Sequence, residues 1–182
     1  MGIYIALLRG INVGGKNKLP MKDLVTLMEN AGCLEVQTYI QSGNAVFEST
    51  SAIARTLPDT IAESIAEQFG LTVPVILRTT ADIGRVVQTN PFLKPGVDTK
   101  ALHVAFLAGK PGAKYAAALD PKRSSGDEFK LKGREIYLHC PNGVARTKLT
   151  TAYFDATLGT ISSMRNWNTV LKLNDLALTR IR

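Results

Sequence analysis

Val36-Gln37-Thr38-Tyr39-Ile40-Gln41-Ser42-Gly43-Asn44-Ala45-Val46-Phe47-Glu48 reads as two strands joined by a turn. Residues 36–41 alternate like a half-buried strand, Ser42-Gly43-Asn44 has turn chemistry, and Ala45–Glu48 returns. Before this hairpin come a strand and a helix. Residues 2–8 are almost continuously apolar, as in a buried strand. Pro20 suits the first turn of a helix. Leu24, Leu27, Met28 and Ala31 then fall at i, i+3, i+4 and i+7, and Gly32 can end it. After the hairpin, Leu57, Ile61, Ile65 and Phe69 step by four along a second helix, with Pro58 expected in its first turn and Gly70 closing it. Thr72–Leu77 reads as a strand, and Pro74, which lacks a ladder donor, assigns it to a sheet edge. Two adjacent strands between two helices give the order β-α-β-β-α-β, the split βαβ or ferredoxin-like unit.

A third helix is expected over Ala81–Thr89, stopped by Asn90-Pro91. From Lys100 the order repeats. Leu102–Leu107 is a strand, Lys110-Pro111-Gly112 leads to a short helix, and Asp127–Leu131 and Glu135–His139 form a hairpin. Thr147–Leu158 is a helix, Ile161–Met164 a strand, and Thr169–Leu178 the last helix. The expected fold is α+β: two tandem ferredoxin-like (split βαβ) halves, 1–93 and 100–182, each β-α-β-β-α-β plus a following helix. The repeat rests on element order, since the halves share little residue identity.

The chain has 182 residues, 45% hydrophobic and 20% charged, enough apolar material for a real core. No apolar run reaches the roughly 20 residues that span a bilayer. No basic stretch precedes a long apolar segment at the N-terminus, so a cytoplasmic protein is expected. Cys33 and Cys140 are far apart without metal-ligand spacing, which predicts two buried thiols in a reducing compartment. The net charge is +7, and it is unevenly placed: residues 1–94 hold 8 Lys/Arg and 8 Asp/Glu, residues 95–182 hold 14 and 7. A basic half suits a polyanion surface, or only a solvated basic face.

The loop after the first strand is Arg9-Gly10-Ile11-Asn12-Val13-Gly14-Gly15-Lys16-Asn17-Lys18. In a split βαβ unit, strand three returns between strands one and two. The loop after strand one and the hairpin after strand two therefore share one sheet end. Arg9–Lys18 is expected to meet Ser42-Gly43-Asn44. Arg9, Lys16 and Lys18 would supply charge there. Gly10, Gly14, Gly15 and Gly43 would allow close backbone approach, and Asn12, Ser42 and Asn44 would add polar contacts, a setting for phosphate or carboxylate. The same glycines also serve a sharp exit from the sheet and a tight turn. Gly10 to Asn17 nearly spells the phosphate loop G-x-x-x-x-G-K-[ST]. Asn17 stands where a hydroxyl should hold Mg²⁺, Pro20 starts the helix after the lysine, and no strand ending in an acidic ligand follows, so a nucleotide triphosphatase is rejected.

Two further clusters are candidates for ligand contact. Arg165-Asn166-Trp167-Asn168 joins the last strand to the last helix. A guanidinium beside an aromatic and two amides can read an anion or a base, while an Asn cap and a packed Trp account for the same residues structurally. Arg146 and Lys148 would open a helix, where cations are unfavourable unless an anion neutralises them. Lys130, Lys132 and Arg134 crowd the second hairpin and can touch polyanions. His103 and His139 lie on strands on alternate faces, with nothing to complete a metal site or a nucleophile pair.

Leu7-Leu8-Arg9-Gly10-Ile11-Asn12-Val13-Gly14-Gly15, Tyr39-Ile40-Gln41-Ser42-Gly43-Asn44, Asn90-Pro91 and Arg165-Asn166-Trp167-Asn168-Thr169-Val170 together resemble a mostly bacterial family known as domain of unknown function 1697. The resemblance spans nearly the whole chain. It implies paired ferredoxin-like halves that can intertwine, it implies no activity, and it leaves any cofactor open. Ser162-Ser163-Met164 departs mildly from the threonines the family often has there.

Three readings follow. The first is a protein binding a phosphate-bearing small molecule or nucleic acid at the 9–18 loop and the 42–44 hairpin. The second is an enzyme on a small anionic metabolite in the same pocket, without an assignable acid–base pair. The third is a structural or partner-binding module.

Overall fold

Strands β2 (Leu34–Tyr39) and β3 (Asn44–Ser49) pair antiparallel, and β3 lies between β2 and β1 (Gly2–Leu8). β4 (Val75–Thr79) closes the sheet on the other side of β1, giving the order β2-β3-β1-β4. The computed structural model describes residues 1–180. Among them it shows a mixed α+β chain with two four-stranded antiparallel sheets and six α-helices. The second sheet consists of β5 (Leu102–Leu107), β6 (Glu128–Lys132), β7 (Glu135–His139) and β8 (Ser162–Asn166), in the order β6-β7-β5-β8. The helices are α1 (Met21–Asn30), α2 (Ser51–Phe69), α3 (Thr80–Gln88), α4 (Ala113–Ala116), α5 (Thr151–Leu158) and α6 (Trp167–Leu178).

The chain divides into two compact units. One is Met1–Gly84 with the chain from Leu173 onward; the other is Arg85–Lys172. Helix α3 thus begins in the first unit and ends in the second, and α6 does the reverse.

In the first unit, Ala6 and Leu8 of β1 and Ala45 and Phe47 of β3 form one sheet face. It packs on Leu24, Leu27 and Met28 of α1 and on Leu57, Ile61 and Ile65 of α2. Each side chain comes from the periodicity of its element: every second residue in the strands, every third or fourth in the helices. β4 pairs with β1 alone, so the edge position required by Pro74 is observed, although the strand starts one residue after the proline. Pro58 corrects an expectation. The Thr50 hydroxyl accepts from Ile53 N at 3.3 Å and caps α2 well upstream, leaving Pro58 in the helix interior. There it deprives the Ala54 carbonyl of its usual donor.

In the second unit, Ala105 and Leu107 of β5 and Ile136 and Leu138 of β7 pack on Leu149, Phe154 and Leu158. Strands β5, β7 and β8 pair in the register of β1, β3 and β4, whereas β2 shifts register between Leu34 and Gln37 and β6 does not. Leu8 N donates to Gly43 O and Leu107 N to Arg134 O, both at 2.8 Å. Arg9 N donates to Pro74 O, and Ala108 N to Ile161 O. Arg78 stands opposite Ile5 as Arg165 stands opposite Val104. Three of the four strands of each sheet therefore share one pairing register.

Both cysteines are free and buried, and burial pushes each thiol up to about 11. Both stay protonated at neutral pH and are poor nucleophiles. No described helix is long and apolar enough to cross a membrane.

His103 is buried on β5, and burial lowers its pKa from 6.5, with the Ala101 backbone opposing the shift. The unfolded chain then binds the proton more readily than the folded one. Stability from this group is complete above pH 6.5 and is lost as pH falls through 6.5 toward the folded value. Urea midpoints measured downward from neutral pH should therefore drop, by at most about 1.4 kcal/mol per pH unit for one group. His103→Gln should flatten that segment of the profile.

Candidate functional site

The glycine loop folds as a small hairpin of its own. Val13 and Lys16 form an antiparallel bridge, closed by Lys16 N donating to Val13 O at 3.0 Å. Gly14 and Gly15, at φ 57° and 74°, occupy the two turn positions between them. Both central residues of such a turn need positive φ, which is why a glycine pair stands there. A Cβ at either would meet nothing within 4 Å, so the tip projects into open space.

The base of the hairpin is braced by its asparagines. The Asn12 side-chain amide donates to Leu19 O and to Gln41 O, both at 2.8 Å, and its carbonyl accepts from Leu19 N at 2.9 Å. Asn12 N donates to Asn17 O, and the Asn17 amide donates to Gly10 O. Both asparagines sit at positive φ, which Asn tolerates better than most residues. Ile11 turns inward, 1% exposed, and plugs the sheet end against Gly43.

The loop and the 42–44 hairpin therefore meet, through the Asn12 bond to Gln41 and the Leu8 bond to Gly43. The roles within the pair differ from expectation. Asn12 spends its amide on the fold. Asn44 is fully buried and donates to Tyr39 O at 3.1 Å and to the Ser42 hydroxyl at 3.0 Å. Lys16, Lys18, Gly10, Gly14 and Gly15 are exposed, and Arg9 and Ser42 are half-buried. What the surface presents is charge on a finger hydrogen-bonded at its base.

Asn12→Ala would strip partners from both backbone groups of Leu19, which is fully buried. A loss of about 1–3 kcal/mol is expected from leaving such groups unsatisfied, measured by urea unfolding.

The remaining predicted residues lie elsewhere. Arg146 and Lys148 do not open a helix: the Thr150 hydroxyl accepts from Tyr153 N at 3.2 Å and starts α5 at Thr151. Both are exposed in the loop before it, and the Lys148 carbonyl accepts from Arg123 Nε. No helix start therefore lies at these two cations to call for an anion. Strand β8 runs two residues further than expected, so Arg165 is a strand residue. It is buried, and its Nη1 donates to the Ser163 hydroxyl at 2.9 Å and to Met164 O at 2.8 Å. Burial pulls its pKa down to about 10, which leaves it cationic at neutral pH. Asn166 caps α6, its carbonyl accepting from Thr169 N at 2.8 Å. Trp167 is 1% exposed, and Asn168 is exposed.

A second gathering of cations was only half legible. Lys132 and Arg134 of the β6–β7 hairpin share a cavity with Arg85 and Lys110. Arg85 sits alone in a helical pattern and Lys110 in a short loop, so no local motif marks either.

Two sheets of this order, with a braced glycine loop set against the first hairpin, define the class of α+β protein. The chain belongs to the DUF1697 family, described as a protein of unknown function, whose family model matches residues 1–137. That span includes the whole glycine loop and the 42–44 hairpin. The chain is also similar to a solved structure, that of conserved bacterial protein SP0830 from Streptococcus pneumoniae. The likeness covers 97% of this chain and 98% of that one, at 22% identity and a TM-score of 0.70, and it speaks to the fold. Comparison with curated proteins gave no match.

Proposed function

We propose that the chain binds a phosphate-bearing polyanion, with nucleic acid the best-fitting chemistry, through the Arg9–Lys18 loop and the Ser42-Gly43-Asn44 hairpin. The observation that carries this reading is the braced finger: Lys16 and Lys18 stand exposed on a hairpin held at its base by the Asn12 and Asn17 side chains. Pre-ordering reduces the entropy lost when charged side chains engage a ligand. The open space around Gly14 and Gly15 suits an extended phosphate backbone better than an enclosed metabolite. Arg9 adds charge at the root, and the net charge of +7 favours association with polyanions.

The same reading takes 1–93 and 100–182 as two ferredoxin-like halves, each supplying most of one compact unit. Supporting it are the strand orders and the way α3 and α6 each begin in one unit and end in the other. A cytoplasmic setting agrees with two buried, protonated thiols.

Fluorescence anisotropy with short RNA and DNA, across a salt series, tests the binding. Each cation that displaces a counterion from duplex DNA adds about 0.9 to the slope of log affinity against log salt. Lys16→Ala with Lys18→Ala should lower that slope by nearly two and weaken binding on all sequences alike. Absence of binding at low salt would leave the enzyme and partner-module readings.

A further inference from the structure

We propose that the second unit carries a separate site, a cationic groove that takes a small phosphorylated ligand. The groove is a cavity of about 670 Å³ into which Arg85, Lys110, Lys132 and Arg134 converge. Glu135, a buried carboxylate in the lining, offsets one charge and leaves an excess of three positive charges.

Its position follows from the repeat. Leu107 N to Arg134 O matches Leu8 N to Gly43 O, so the groove forms where the loop after β5 meets the β6–β7 hairpin. This is the counterpart in the second unit of the sheet end that holds the glycine loop in the first. In the first unit, Ile11 fills that end against Gly43. In the second, the connection after β5 passes directly through Lys110 into α4 and carries no such plug. Arg134 stands in the register position of Gly43, and Glu135 in that of Asn44. The same backbone scaffold thus presents a buried apolar plug in one unit and a charged cleft in the other.

The groove has a fixed floor. Tyr137 is 2% exposed, with its hydroxyl 3.2 Å from the Thr89 hydroxyl. Lys132 Nζ donates to the Thr89 carbonyl at 3.0 Å and lies 5.7 Å from the centre of the Tyr137 ring. Burial raises the Tyr137 pKa above its usual value, so the phenol keeps its proton at neutral pH.

The size falls within the roughly 300–1,000 Å³ typical of small-molecule sites. The exposed ammonium groups of Lys110 and Lys132 act as point charges for a phosphate group, and the Arg85 and Arg134 guanidiniums add positive field beside them. A cleft with an excess of positive charge raises the local anion concentration. A ligand with two or more negative charges and a small body fits both the volume and the charge.

The test uses the full-length protein and isothermal titration calorimetry with pyrophosphate. Lys110→Ser with Lys132→Ser changes two exposed side chains, and circular dichroism with the ligand-free melting temperature checks that the fold is kept. Wild type should bind. The double variant should bind about tenfold more weakly or worse, as expected for lost charge-assisted contacts. Lys16→Ser with Lys18→Ser should bind pyrophosphate like wild type while losing oligonucleotide. The proposal is overturned if wild type ignores pyrophosphate, if the groove variant keeps its affinity, or if the Lys16/Lys18 variant is the one that loses it. It is equally overturned if the groove variant loses oligonucleotide binding alone, because the groove would then serve the polymer.

Discussion

Trp167→Ala is expected to cost about 3–5 kcal/mol of stability, the range for deleting a large buried aromatic. Trp167 is the largest of the fully buried side chains, at 1% exposure, and it sits where β8 passes into α6. Asn166 caps the helix just before it, and the buried Arg165 precedes that. Removing the indole would leave a cavity beside a helix start and a buried cation. Trp167→Phe should recover part of the loss, since it restores ring volume without the N–H. Urea unfolding measures both. The experiment also separates two roles for the Arg165–Asn168 cluster. A tryptophan that stacked on a ligand would cost affinity on substitution and leave stability nearly unchanged. Burial predicts the reverse, so a loss below about 1 kcal/mol would return the cluster to the binding surface.

Gly43→Ala is the second large effect. At φ 76° the backbone is in the left-handed region, which costs an L residue roughly 1–2 kcal/mol. The added methyl would also meet Leu8 Cβ at 2.7 Å and Ile11 Cδ1 at 2.9 Å. Leu8 and Ile11 are both 1% exposed, so neither has room to retreat, and overpacking of this kind adds about 1–3 kcal/mol. A total of roughly 3 kcal/mol is expected. Gly14→Ala is the control: its φ is 57° but nothing lies within 4 Å of the added carbon, so only the conformational part, about 1 kcal/mol, should appear. Equal losses at the two positions would mean that the plug of Ile11 against Gly43 is not tightly packed.

The reach of the sequence can be judged from particular residues. Two strands between two helices determine that β3 lies beside both β1 and β2, and from that the meeting of the 9–18 loop with the 42–44 hairpin follows. Pro74 places β4 at an edge because the missing donor is a local fact. Side-chain commitment was less visible. Asn12 and Asn44 have the chemistry of ligand contacts, and only the positions of the Leu19, Gln41 and Tyr39 backbone groups show that the fold uses them. The starts of α2 and α5 were misplaced for one reason: Thr50 and Thr150 act as caps through hydroxyl bonds three residues ahead, a signal weaker on the page than a proline or a charge. The groove was hidden because Arg85 and Lys110 belong to different elements. The division of α3 and α6 between units leaves no mark on a helical periodicity that continues through it.

The central claim is that the braced finger and its hairpin hold a phosphate backbone, and amide chemical-shift mapping tests it most directly. On titrating a short oligonucleotide into the ¹⁵N-labelled protein, the signals of Gly14, Gly15, Lys16, Lys18 and Ser42 should shift first and furthest, and should return as salt is raised. Shifts confined to other residues, or a spectrum unmoved at low salt, would contradict it.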